Sequence, residues 1–208
     1  MTSLVLIPSL VEELSKTTTT AIPIIAAGGF ATGRSLNAAL ALGAEGIAMG
    51  TRFAVTQESP LAQTMKETIV GAEEYDTIYG QNFDGIPARV LKTPLSTKLM
   101  ASRPLLPVVF VRAIQAAIQM KIPLWKIIGG LLFSGGRSYR DVYTIAQFGT
   151  ATEAIQAATV HGNVDEGVQF VGQAQGLIHD IPTVDELVQR IVLESDRIHQ
   201  EQVIKHRN

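Results

Sequence analysis

Cysteine is absent from the 208 residues, which excludes disulfides, thiolate metal sites and cysteine nucleophiles. An excess of either charge is also missing: 17 Lys and Arg stand against 19 Asp and Glu, a net charge of −2. No stretch gathers enough basic residues to restore a local attraction, so nucleic acid is not an expected partner. Long hydrophobic runs are lacking too. The apolar stretch at 104–118 contains Pro107 and Arg112 and is too short to span a bilayer. The opening "MTSLVLIPSLVEELSK" has no basic leader, breaks at Pro8 and meets Glu12 and Glu13, so it does not read as a signal peptide. The expected address is cytoplasmic, without membrane contact. What the chain does have is a 46% hydrophobic composition, enough for a soluble globular protein with a substantial core.

The order of elements points to an α/β fold. Leu10, Val11 and Leu14 have helical spacing between Pro8 and Lys16. Ile22 to Ala27 is a continuous apolar run closed by Gly28 and Gly29, the pattern of a strand buried on both faces of a parallel sheet. Thr32 is placed to cap a helix through Leu36, Ala39 and Leu40 that stops at Gly43. Ile47 to Met49 then reads as a second buried strand, again closed by glycine. Strand, helix and strand in about thirty residues form a βαβ unit.

Beyond Phe53 the character changes. Ser59 and Pro60 suit the start of a helix ending near Val70. "NFDGIPARVL" reads as a turn leading into a short extended piece, and residues 103–149 as several short helices. Thr183 and Glu186 have the spacing of a capping box, followed by an apolar face of Val184, Leu187, Val188, Ile191 and Val192. There is no internal repeat and no low-complexity linker.

The two glycine-ended strands carry the chemistry. In parallel α/β sheets and barrels, ligands bind beyond the carboxyl ends of the strands, and the last two loops of a (β/α)8 barrel commonly hold phosphate. Glycine at both ends lets backbone N–H groups close on phosphate oxygens, because no Cβ blocks the approach. The helix start near Thr32 would add its positive dipole end, and the Thr51 hydroxyl one further donor. The bland alternative is that Gly28 and Gly50 only permit tight strand-to-helix turns.

The segment "PIIAAGGFATGRSLNAALALGAEGIAMGTRFAVTQES" resembles the FMN phosphate-binding segment of the nitronate monooxygenase family, formerly called 2-nitropropane dioxygenases. That family is similar over this stretch to the FMN-dependent enoyl-acyl-carrier-protein reductases. The likeness continues in "FDGIPARVL" and "VGQAQGLIHDIPTVDELVQRIV", and is loose over residues 103–159. It implies the C-terminal part of a TIM (β/α)8 barrel of FMN-dependent type, with a mostly helical lid subdomain. Residues 1–58 would carry the last barrel strands and the FMN phosphate loops, 59–169 the lid and substrate region, and 170–208 a return segment and C-terminal helix. The implied cofactor-binding residues are Ala27, Gly28 and Gly29 after the seventh strand, and Met49, Gly50 and Thr51 after the eighth. Gln173 would lie near them.

The family's catalytic histidine lies in a "GGH" segment upstream of the matching region, and this sequence has none. Longer protein, C-terminal part, is the expectation. Of the four histidines, His161, His179, His199 and His206, none stands at the end of a buried strand, where a flavin-facing base would be placed. No catalytic residue is therefore assigned within the chain. Arg52 is a candidate to neutralise a dianion, or to pair with a carboxylate such as Glu58; Arg89 is read as structural. Trp125 is read as lid core. Ser134 and Ser138 lack a nucleophile-elbow pattern. The carboxylate pairs Glu12 and Glu13, Glu73 and Glu74, and Asp165 and Glu166 have no histidines at ligand spacing, so no metal is expected.

The resemblance implies an FMN-dependent oxidation of alkyl nitronates by molecular oxygen, with this chain supplying the phosphate site and lid. Reduction of an enoyl thioester with NAD(P)H keeps the same loops and changes the reaction. A catalytically silent fragment that pairs with a missing N-terminal barrel half, or with a second copy, is the third reading.

Overall fold

A computed structural model of the chain describes residues 2–101 and 151–205. The helices expected across 103–149, together with Trp125, Ser134, Ser138 and His206, lie outside the described residues. Two compact units divide the chain: Met1–Ser59 with Ile69–Tyr75 and Gly172–Asn208, and Pro60–Thr68 with Asp76–Val171.

The first unit opens with α1 (Ser3–Thr17), then β1 (Ile25–Ala27), α2 (Gly33–Ala41), β2 (Gly46–Ala48) and the single turn α3 (Thr51–Ala54). Helix α1 begins five residues ahead of the expected Pro8. The Thr2 carbonyl accepts from the amides of Val5 and Leu6 at 3.0 and 2.9 Å, so a first turn precedes Pro8, which lies inside the helix. Helix α2 matches the sequence reading. Thr32 and Ser35 form a reciprocal capping box, and Gly43 takes a φ of 94°, a backbone conformation at little cost only to glycine.

Strands β1 and β2 pair in parallel, Ile25 with Gly46, Ala26 with Ile47 and Ala27 with Ala48. Ala26 is buried in a small core with Ile7, Ala39 and Ala44, against which Val11, Ile24, Phe30, Leu42 and Ile47 pack. The helices thus cover one face of the pair. The other face is open: Ile25 is 56% exposed, and Ala27 and Ala48 are exposed with it. This corrects the expectation of strands buried on both faces. With one neighbour each and helices on one side only, alternation leaves every second residue uncovered. The described residues contain this parallel pair and form no closed barrel.

The unit is completed by a short 3-10 helix, Gln173–Leu177, and by α6 (Val184–Lys205). The capping box forms as expected: the Thr183 amide donates to Glu186 Oε2 at 2.9 Å, and the Glu186 amide to Thr183 Oγ1 at 3.2 Å. The backbone and hydroxyl of Thr183 hold the Glu186 carboxyl below its usual pKa. The buried face of α6 is Leu187, Ile191, Ser195 and Ile198. Val188 and Val192, expected on the same face, are exposed, because α6 settles on α2 through a narrower stripe than the apolar pattern suggested.

In the second unit, β3 (Thr77–Gly80) pairs antiparallel with β4 (Ala88–Leu91). The extended piece at "ARVL" was expected; its partner strand was not. Arg89 holds the hairpin together, donating to Thr77 Oγ1 at 2.7 Å and lying 5.7 Å from the Tyr79 ring centroid. Helix α5 (Pro94–Ala101) starts at a proline whose missing amide costs no helical bond there. Thr93 and Ser96 bond reciprocally at its start, the Thr93 amide donating to Ser96 Oγ at 2.8 Å and the Ser96 amide to Thr93 Oγ1 at 3.1 Å. A helical stretch at residues 151–159 supplies Ala151 to a core with Phe83, Val90 and Val168. Helix α4 (Gln63–Val70) ends where expected but starts later than Pro60. The Ala62 carbonyl accepts from Met65 and Lys66, while its amide is taken by the Thr159 carbonyl.

Candidate active site at two glycine strand ends

Because β1 and β2 run parallel in the register that pairs Ala27 with Ala48, both strands leave the sheet at the same end. Ala27 is the last residue of β1 and is exposed. Gly28 and Gly29 follow, both exposed and both with φ of 88°. Beyond Ala48, Met49 is half-buried and Gly50 exposed. Thr51 begins α3. A Cβ built at Gly28, Gly29 or Gly50 would meet nothing within 4 Å. These glycines border open space and do not serve close packing inside the protein. That is the condition for a ligand to approach the main chain.

Gly33, four residues on, is a glycine for a different reason. Its Cβ would lie 2.4 Å from the Ile191 carbonyl oxygen and 2.7 Å from the Ser195 nitrogen, so α2 sits directly on the α6 backbone. The amide of Gly33 donates to Glu194 Oε2 at 2.7 Å, and the amides of Ala31 and Thr32 both donate to Ser35 Oγ at 3.1 Å. The α2 terminus, expected to lend its dipole to a bound anion, already holds a carboxylate of the protein.

Thr51 makes a contact that the sequence did not reveal. Its Oγ1 accepts from the Gly172 amide at 2.9 Å, which brings the "VGQAQG" segment to the start of α3. The hydroxyl proton remains available to donate. Gln173 is thereby placed next in chain to this contact, with its side chain exposed. The segment is fixed further along, where buried Gln175 donates from Nε2 to the Glu73 carbonyl at 2.9 Å.

Arg52 points away from any ligand role. It is 3% exposed and pairs with Asp180, not with Glu58: Nη2 lies 2.9 Å from Oδ1, and Nη1 donates to the Asp180 carbonyl at 3.2 Å. Arg190 bonds the other Asp180 oxygen at 2.5 Å. Burial lowers the Arg52 pKa, partly offset by the carboxylate. Burial would raise that of Asp180, but the Arg190 hydrogen bond and the two guanidinium charges more than reverse it and hold the carboxyl below its usual value. Glu58 instead accepts from the Val184 amide at the start of α6, at 2.9 and 3.0 Å. No local pattern marks Asp180 as the Arg52 partner across 128 positions; the same holds for Gly172 and Glu194.

His161, His179 and His199 are exposed, and none occurs in β1, β2 or the loops that follow them. Among the described residues no three His, Asp or Glu side chains gather as metal ligands, and no helix is long and apolar enough to cross a membrane. A cleft of about 320 Å³ lies at the opposite, amino ends of the strands, lined by residues that include Val11, Thr18, Ile24 and Glu45.

The chain is 34% identical over 199 residues to the (3aS,4S,5R,7aS)-5-hydroxy-7a-methyl-1-oxo-octahydro-1H-indene-4-carboxyl-CoA dehydrogenase of Mycobacterium tuberculosis, covering 91% of this chain and 53% of that protein. It is 39% identical over 84 residues to a probable nitronate monooxygenase of Staphylococcus aureus, covering 40% of this chain and 22% of that one. Among solved structures, FabK from Thermotoga maritima superposes with a TM-score of 0.64 at 29% identity, over 97% of this chain and 51% of that one. A nitroalkane oxidase from Streptomyces ansochromogenes shares the fold, with a TM-score of 0.63 at 19% identity over 94% of this chain and 45% of that one. The chain thus spans about half the length of the full-length relatives it matches. Residues 2–194 match the family model described as nitronate monooxygenase, and the chain belongs to that family of flavin-dependent oxidoreductases.

Proposed function

We propose that this chain supplies the FMN phosphate site of an oxidoreductase that oxidises alkyl nitronates with molecular oxygen. The observation that carries the reading is the open space above Gly28, Gly29 and Gly50 at the shared end of two parallel strands. Backbone amides of these loops, bounded by Ala27 and Met49, would hold the phosphate, and the Thr51 hydroxyl would donate to it. When bound, the flavin supplies the redox chemistry that protein side chains lack. The part proposed for this chain is to bind and orient; none of its described histidines occurs in the loops that follow β1 and β2.

A second reading has an observation of its own. Two relatives at 34% and 35% identity over 91% of the chain are carboxyl-CoA dehydrogenases, which favours a coenzyme A thioester as the substrate class; enoyl reduction with NAD(P)H is what the likeness to the FMN-dependent enoyl-acyl-carrier-protein reductases implies for such a substrate. The loops serve either reaction. Titration of the purified protein with FMN, followed by the visible flavin spectrum, tests the shared part. Oxygen uptake with an alkyl nitronate, set against NAD(P)H oxidation with an enoyl thioester, then separates the two. Failure to take up FMN would remove both.

A further inference from the structure

We infer that Thr51 is a positioning residue that couples phosphate binding to the order of the Gly172–Leu177 segment, an inference that rests on the phosphate reading above. A threonine hydroxyl has one proton to donate and two lone pairs to accept. One lone pair is committed, to the Gly172 amide at 2.9 Å, and the residue stands directly after Gly50 at the open end of the strands. A hydroxyl that donates to an anion becomes a better acceptor, because successive hydrogen bonds polarise one another. Phosphate on the proton side of Thr51 therefore strengthens the bond on its oxygen side.

The segment downstream is built to receive that effect as a unit. Gly172 leads straight into the 3-10 helix at Gln173. Gln175 is fully buried and tied to the Glu73 carbonyl. Gly176 has no room for a Cβ, which would lie 2.7 Å from the Glu74 nitrogen. The Gly172 end is held by the side chain of the residue that directly follows Gly50. Coupling between two sites is reciprocal, so loosening Gly172 must weaken the ligand as much as the ligand tightens Gly172.

Amide hydrogen exchange, with and without FMN, tests this on the intact chain and on two variants, Thr51→Ser and Thr51→Val. In the parent protein and in Thr51→Ser, FMN should slow exchange at Gly172 by up to about twofold, the range expected when one net hydrogen bond is strengthened by ~10–30%. In Thr51→Val, Gly172 should exchange faster without ligand, and FMN retained by the glycine loops should no longer protect it. The inference is overturned if Thr51→Val shows the parent's FMN protection at Gly172, or if the flavin spectrum reports binding to the parent while Gly172 exchange is unchanged. A flavin spectrum that reports no binding overturns the phosphate reading itself, a distinct result.

Discussion

The Gly33 amide donates to Glu194 Oε2 at 2.7 Å across 161 positions of chain. The contact exists because Gly33 has no side chain, so the first turn of α2 lies on the α6 backbone. An added Cβ would sit 2.4 Å from a main-chain oxygen, and backbone cannot swing aside as a flexible side chain can. Gly33→Ala should destabilise the protein by about 1–3 kcal/mol, the cost of overpacking a closely fitted contact. Chemical denaturation of parent and variant checks this.

The ion triad gives a pH-dependent prediction. The Asp180 pKa is depressed on folding, so its contribution to stability is present above the unfolded carboxyl value near ~3.9 and is lost as pH falls through the folded value. Asp180→Asn should cost about 1–3 kcal/mol at neutral pH, short of the ~3–5 kcal/mol of a fully buried pair, since the Asp180 side chain is 43% exposed. The gap between parent and variant should narrow below about pH 4. Melting temperatures of both proteins from pH 3 to 7 measure it; a gap that widens in acid contradicts the assignment.

Removing the cap of α6 is a cleaner perturbation, because Thr183 stands outside the glycine loops. Thr183→Ala should lower stability by about 1 kcal/mol, the usual value of an N-cap hydroxyl, and leave FMN affinity unchanged. Parallel thermal melts and flavin titrations report the two quantities separately.

Much of the first unit was legible in sequence because its signals are local. The Thr32 cap, the Gly43 stop and the Thr183–Glu186 box each depend on residues within a turn or two, and each forms. The exposure of Ile25 and Ala48 was not legible, since an apolar run records that a residue is suited to burial and not which partners cover it. The same limit explains Val188 and Val192. Strand β3 was missed because "TIYG" is short, and only its pairing with "ARVL" makes it a strand. In the candidate site, the glycine pattern was readable while the contacts that brace it were not: Gly172 to Thr51, Asp180 to Arg52 and Glu194 to Gly33 all join residues more than a hundred positions apart.

Gly28 and Gly50 make unequal tests of the phosphate site. At Gly28, with φ of 88°, a side chain costs ~1–2 kcal/mol of backbone strain, so Gly28→Ala should lower both stability and FMN affinity. Gly50 has φ of −90° and open space at its Cβ position, so a side chain there adds bulk without strain.

The most direct measurement is therefore FMN binding by Gly50→Val, with circular dichroism and thermal melting as controls on the fold. The account predicts a folded variant with its melting temperature close to the parent's and FMN affinity reduced about tenfold or more, a loss of at least ~1.4 kcal/mol of binding. A folded Gly50→Val that takes up FMN as tightly as the parent would contradict it.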